Sequence, residues 1–224
     1  MARGDSLMLR YGVPLLWLLL LTGCQSIPLG LNQEAPNKEE VVATEDAAGE
    51  LVVVPSPYEQ NQGSVSSDAK ARYGKALVAM QVGDWKDAEQ RLLALVSDYP
   101  ALSGPVLNLG IVSEQQADNK KAEAYYQQTI AVNANNLAAY HRLAVLLREQ
   151  GRFQEAEAVY LRALTVWDQD AVSHKNLGIL YDLYMGRLDD ALIHYESYLA
   201  LTEPPDRQVK GWVADLSRRI KAEQ

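Results

Sequence analysis

Apolar and polar positions follow a helical period through the last two thirds of the chain, most clearly in Leu137–Asp170, LAAYHRLAVLLREQGRFQEAEAVYLRALTVWDQD. Tyr140, Leu143, Ala144 and Leu147 recur at helical spacing, Gly151 interrupts them, and Phe153, Ala156, Tyr160 and Ala163 resume the period. This predicts two short amphipathic helices joined by a tight turn. The small residues Ala144 and Ala156 fall where the helices press together, and the large ones fill the space around them.

The pattern repeats at a fixed pitch. Ala156 has counterparts in Ala88, Ala122 and Ala191, at steps of 34, 34 and 35 residues. A large residue follows each four positions later, as Leu92, Tyr126, Tyr160 and Tyr195. The first helix of the later copies carries Leu109-Gly110, Leu143-Ala144 and Leu177-Gly178, and the turn holds Gly83, Ala117, Gly151 and Gly186. The copies run near 69–99, 104–136, 137–170 and 171–203, and the extra residue of the fourth falls at Tyr184-Met185-Gly186. A last amphipathic helix is expected over Asp206–Lys221. Val209, Trp212, Val213, Leu216 and Ile220 form its apolar stripe, and cations in its last turns suit the helix dipole.

A 34-residue helix–turn–helix with this signature resembles the tetratricopeptide repeat, or TPR. The fullest match is His174-x-x-Leu177-Gly178-x-x-Tyr181 followed by Ala191-x-x-x-Tyr195, with His174 where the family often has Trp. Four copies in phase distinguish this from an ordinary helical bundle. The fold class implied is all-α: a right-handed α-solenoid of about four hairpins over 67–204 and a capping helix over 206–224, preceded by a disordered tether. The first copy departs from the pattern, with Lys75-Ala76 in place of Leu-Gly, as end repeats often do.

The chain begins differently. Arg3 and Arg10 precede an apolar run, Val13 to Leu21, that is too short to span a bilayer and reads as a signal peptide over 1–23. Leu21-Thr22-Gly23-Cys24 resembles the lipobox of bacterial lipoproteins, in which the Cys is lipidated and becomes the first residue of the mature chain. Cys24 is the only cysteine, so no disulfide supports the fold. Two acyl chains would anchor it stably. Gln25 stands where an Asp would resemble an inner-membrane retention signal, which favours the outer membrane and a periplasm-facing body.

Residues 24–66 are rich in Pro and acidic residues, with Glu34, Glu39, Glu40, Glu45, Asp46, Glu50 and Glu59 against Lys38 alone. Such composition cannot offset chain entropy by burial and is expected to be disordered. It would give a flexible reach of roughly 35–40 Å. Within it Leu51–Val54 is β-prone. It reads as a sticky patch in coil, as a strand that adds to a partner's sheet, or as a segment lying in the protein's own groove. The net charge of −8 gives no footprint for nucleic acid or anionic lipid.

Candidate chemistry is sparse. The histidines are His141, His174 and His194, and no nucleophile elbow, metal-ligand spacing or glycine-rich phosphate loop occurs. The residues call for no enzyme activity, cofactor or metal. The resemblance instead implies a protein-binding groove lined by the first helices. The fifth repeat position carries Tyr73, Leu107, His141 and Lys175. The ninth carries Leu77, Ile111, Val145 and Ile179, and the twelfth Met80, Glu114, Arg148 and Asp182. An apolar strip rimmed by polar groups suits a peptide or helix. The Lys and Asn clamp that some TPR proteins use for chain-terminal carboxylates is not matched. Tyr73 and Leu77 occupy its first positions, and only Asn108 and Arg142 agree.

The expected function is a non-catalytic envelope adaptor whose partners are other envelope proteins or peptides. Small TPR lipoproteins resemble pilotins and assembly factors of pili and secretins. They also resemble adaptors for peptidoglycan hydrolases, synthases or energy-transducing envelope complexes. TPR packing faces also support homo-oligomers.

Overall fold

A computed structural model describes residues 42–45, 51–54, 56 and 64–223. The expected signal peptide and Cys24 lie outside the described residues. Within the stretch expected to be a structureless tether, two four-residue strands are paired: β1 (Val42–Glu45) and β2 (Leu51–Val54) run antiparallel, with Val42 opposite Val54 and Glu45 opposite Leu51. Leu51–Val54 is therefore a strand, and its partner is a segment of the same chain.

From Ser67 onward the described residues form helical hairpins. These are α1 (Ser67–Gln81) with α2 (Trp85–Asp98), α3 (Ser103–Gln115) with α4 (Asn119–Val132), and α5 (Leu137–Glu149) with α6 (Phe153–Val166). The fourth pairs α7 (Ala171–Leu180) with α8 (Leu188–Ala200), and α9 (Arg207–Glu223) closes the stack. The second helix of each hairpin packs on the first helix of the next, and α8 packs on α9 in the same way. The result is the expected solenoid of four hairpins and a capping helix.

The turns explain the spacing. Gly83, Gly151 and Gly186 have φ of 76°, 76° and 65°, and Ala117 takes the same left-handed conformation at 60°. That region is open to glycine and costs any residue with a Cβ. In the first three hairpins the next amide donates to the carbonyl five residues back: Asp84 to Ala79, Asp118 to Ser113 and Arg152 to Leu147, each at 2.9 Å. In the fourth, Arg187 donates six back, to Tyr181, at 3.0 Å. The additional residue is absorbed by a π-type turn over Tyr181–Met185, before the glycine, rather than in the turn itself.

Helix contact is set by paired sizes. A Cβ on Gly110 would sit 2.3 Å from the Tyr126 ring, and one on Gly178 would sit 2.4 Å from the Tyr195 ring. Tyr126 and Tyr195 are buried against these glycines, the third hairpin buries Ala144 and Tyr160 at the equivalent positions, and the first buries Ala76 and Leu92. The core is continuous from Ala76 to Leu216. Removing one such buried leucine or tyrosine side chain would cost about 2–5 kcal/mol.

The two ends of the stack differ. At the tenth repeat position Val112, Leu146 and Leu180 are buried, each with a helical hairpin before it, whereas Val78, on the first described helix, is 58% exposed. At the other end α9 places Val209 and Leu216 in the core and sets Trp212 against Tyr195, with ring centroids 5.4 Å apart.

Candidate protein-docking face

The first helices α1, α3, α5 and α7 bring the expected groove residues into register, and three of the four fifth-position side chains, Tyr73, His141 and Lys175, are hydrogen-bonded to the element that follows their own hairpin. His141 Nε2 lies 2.5 Å from Asp170 Oδ2, and Asp170 also accepts from the Ser173 amide at 3.2 Å, capping α7. Lys175 Nζ donates to Asp206 Oδ2 at 2.9 Å, and Asp206 accepts from the Gln208 and Val209 amides at the start of α9. In each case a basic side chain on one hairpin's first helix meets the residue that caps the helix packed after that hairpin, α7 or α9. Tyr73 Oη accepts from Asn108 Nδ2 at 2.6 Å. Leu107 is half-buried and packs against the core.

These contacts shift the carboxylates. Burial pushes Asp170 up, but the His141 and Ser173 hydrogen bonds outweigh it and its pKa is lowered. Asp206 is drawn down to about 2, chiefly by the hydrogen bond from Lys175. Burial lowers the pKa of Lys175 and Asp206 raises it, with a net rise. Asp170, Asp206 and Lys175 are thereby held in their charged forms near neutral pH, and their contacts serve as latches between repeats.

The ninth-position row is uneven. Leu77 is 40% exposed, Val145 and Ile179 are half-buried, and Ile111 is only 8% exposed. Ile111 belongs with the core, and the surface strip consists of Leu77, Val145 and Ile179. At the twelfth position Glu114 accepts from Tyr126 Oη at 2.6 Å. Burial raises the Glu114 pKa against that bond. One repeat later Arg148 replaces the carboxylate. Its Nε and the buried Tyr160 hydroxyl have no hydrogen-bond partner among the described residues, and its guanidinium lies 5.6 Å from the Tyr184 ring centroid. Asp182 pairs with Arg219 of α9 at 2.7 Å.

A second row of contacts was missed in the sequence. Glu89, Glu123 and Glu157 recur at the 34-residue step and each binds a cation of the next hairpin: Lys121, Arg152 (2.6 Å) and Arg187 (2.6 Å). The periodic glutamate followed by a cation about thirty residues later was the available signal. Among the described residues no three His, Cys, Asp or Glu side chains are grouped to hold a metal ion.

Residues 135–203 match the tetratricopeptide repeat family. The chain is 33% identical over 112 residues to the photosystem I assembly protein Ycf3 of Rippkaea orientalis, covering 47% of this chain. It spans about 60% of the length of that curated relative. Among solved structures, PilF of Pseudomonas aeruginosa superposes with a TM-score of 0.59 at 23% identity, over 69% of each chain. MamA of Desulfovibrio magneticus superposes with a TM-score of 0.57 at 16% identity, over 70% of this chain and 88% of that one. Both structures share the TPR-type solenoid, and at these identities the likeness concerns the fold alone.

Proposed function

We propose that this chain is a non-catalytic, lipid-anchored adaptor of the bacterial outer membrane that docks other envelope proteins on the concave face of its first helices. The observation that carries the docking role is the strip of Leu77, Val145 and Ile179. These apolar side chains lie at equivalent positions on α1, α5 and α7, with the nearly covered Ile111 of α3 between the first and second, and are incompletely covered by the solenoid's own core. A strip of this kind suits an amphipathic helix or an apolar peptide.

Within that role, assembly of a multi-subunit envelope structure such as a pilus or secretin is favoured over recruitment of peptidoglycan enzymes. The support is the sequence likeness to a protein named for assembling photosystem I. Attachment through Cys24 rests on the Leu21-Thr22-Gly23-Cys24 motif. Incorporation of labelled palmitate, lost in Cys24→Ser, is the expected result. Labelling that survives the substitution refutes the anchor.

The docking role is tested by crosslinking and pull-down from envelopes with the intact chain and a Val145→Glu, Ile179→Glu variant, both checked for helicity by circular dichroism. One set of envelope proteins should be recovered with the first and lost with the second. Equal recovery by both would remove the concave face as the site.

A further inference from the structure

The overall negative charge of the chain conceals a local reversal. Between Arg207 and Glu223, α9 carries Arg207, Lys210, Arg218, Arg219 and Lys221 against Asp215 and Glu223, a net of +3 on a chain whose total is −8. At 100° per residue, Arg207, Lys210, Arg218 and Lys221 fall within about 80° of arc and extend along roughly 21 Å of helix. Gly211 and Ala214, both small, separate them. This stripe lies opposite Val209, Leu216 and Ile220, which face the solenoid, and all four cations are exposed. Arg207, Lys210 and Lys221 make no ion pair among the described residues, and Arg218 pairs only with its helical neighbour Asp215, at 3.2 Å. Arg219, on another face, is the cation of α9 engaged by the repeats, through Asp182.

We infer that this outer stripe of α9 is a peripheral docking surface for an anionic phospholipid bilayer. Charge complementarity requires an extended anionic partner, and magnitudes favour a lipid surface over an acidic peptide. An exposed ion pair with a peptide strengthens binding about one- to fivefold, whereas each cation near an anionic bilayer contributes roughly fivefold, because the field is collective. The acids on the flanks do not cancel the stripe. Asp215 and Arg218 offset each other, which leaves Arg207, Lys210 and Lys221 as the uncompensated cations of the stripe among the described residues, and Glu223 lines a cleft with Asp189 and Asp190 on the side turned toward α8. Acids more than about 10 Å from the surface are screened at 0.1 M salt. The apolar face of α9 is spent on the core, so the contact is electrostatic without insertion. It would set the C-terminal end of the solenoid against a membrane independently of any anchor at Cys24.

The test uses residues 64–224, which contain the whole described core, co-sedimented with vesicles of phosphatidylglycerol and phosphatidylethanolamine or of phosphatidylcholine alone. Binding to the anionic vesicles should be at least tenfold stronger at 50 mM salt, should vanish at 0.5 M salt, and should leave Trp212 fluorescence unshifted. It should be lost in Arg207→Gln, Lys210→Gln, Arg218→Gln, Lys221→Gln and kept in Lys70→Gln, Lys75→Gln, with both variants folded by circular dichroism. Equal binding to the two vesicle types, or binding that survives loss of the stripe, overturns the proposal. So does binding of polyglutamate with the same salt and variant dependence but not of vesicles, which would make the stripe a site for acidic protein segments.

Discussion

The imidazoles of His174 and His194 face each other Nδ1 to Nδ1 at 3.0 Å, joining α7 to α8 inside the fourth hairpin. His174 Nε2 lies 3.0 Å from the Asp168 carbonyl oxygen. A carbonyl can only accept, so Nε2 carries the His174 hydrogen and its Nδ1 accepts from the Nδ1–H of His194. Protonation of His174 would set two N–H donors against one another.

This arrangement predicts an acid-sensitive hairpin. Burial first, then the neighbouring His174, lowers His194 from 6.5 to about 4, with Arg187 adding to the shift and Asp190 and Glu157 opposing it. A depressed folded-state value means that the unfolded chain takes up the proton first as pH falls. The stability from this site is therefore complete above about pH 6.5 and is lost progressively toward pH 4. Melting temperatures of the intact chain and His194→Gln should differ most at pH 7.5 and converge by pH 4.5. A gap independent of pH would refute the assignment.

The size pairing between first and second helices predicts a rescue. Gly178→Ala should destabilise the protein by about 1–3 kcal/mol, because the new methyl meets the Tyr195 ring at 2.4 Å and that ring is buried. Adding Tyr195→Leu restores the Ala and Leu combination that the first hairpin already uses at Ala76 and Leu92, and should recover part of the loss. Urea titrations of the two variants decide this. A double variant no more stable than Gly178→Ala would mean that the two positions do not act as a pair.

The left-handed turn predicts a stabilising change. Ala117 at φ 60° bears a Cβ penalty of about 1–2 kcal/mol, partly offset because glycine adds freedom to the unfolded chain. Ala117→Gly should raise stability by about 0.5–1 kcal/mol, and Gly151→Ala should lower it by a similar amount. Denaturation midpoints moving in the same direction for both substitutions would contradict the turn argument.

Much of this architecture is legible along the chain because a repeat states its core several times. The buried positions of Ala88, Ala122, Ala156 and Ala191, and the turn positions from Gly83 to Gly186, recur at a pitch that no single helix would require. The candidate groove was less legible. Which first-helix residues share a face follows from the period, but whether a side chain there is free depends on its neighbour. Ile111 and Val145 occupy the same repeat position, yet one is nearly covered and the other is not. His141 and Lys175 read as rim residues until Asp170 and Asp206 are seen to hold them. The added residue of the fourth copy was located by counting to within a few positions, while the hydrogen bond from Arg187 to Tyr181 shows how the helix widens to accept it.

By itself the sequence determined the number of hairpins, the small-against-large packing and the closing helix. Each of these depends on local period, turn chemistry and volume, all carried by residues close together in the chain. Only the tertiary structure decided which groove residues latch one repeat to the next, how the Glu89, Glu123 and Glu157 row binds the following hairpin, and that the cations of α9 gather on its outer side. Those relationships depend on distances between side chains about thirty residues apart, or on which face of a helix its neighbour has already covered. Such distances are set when the hairpins stack.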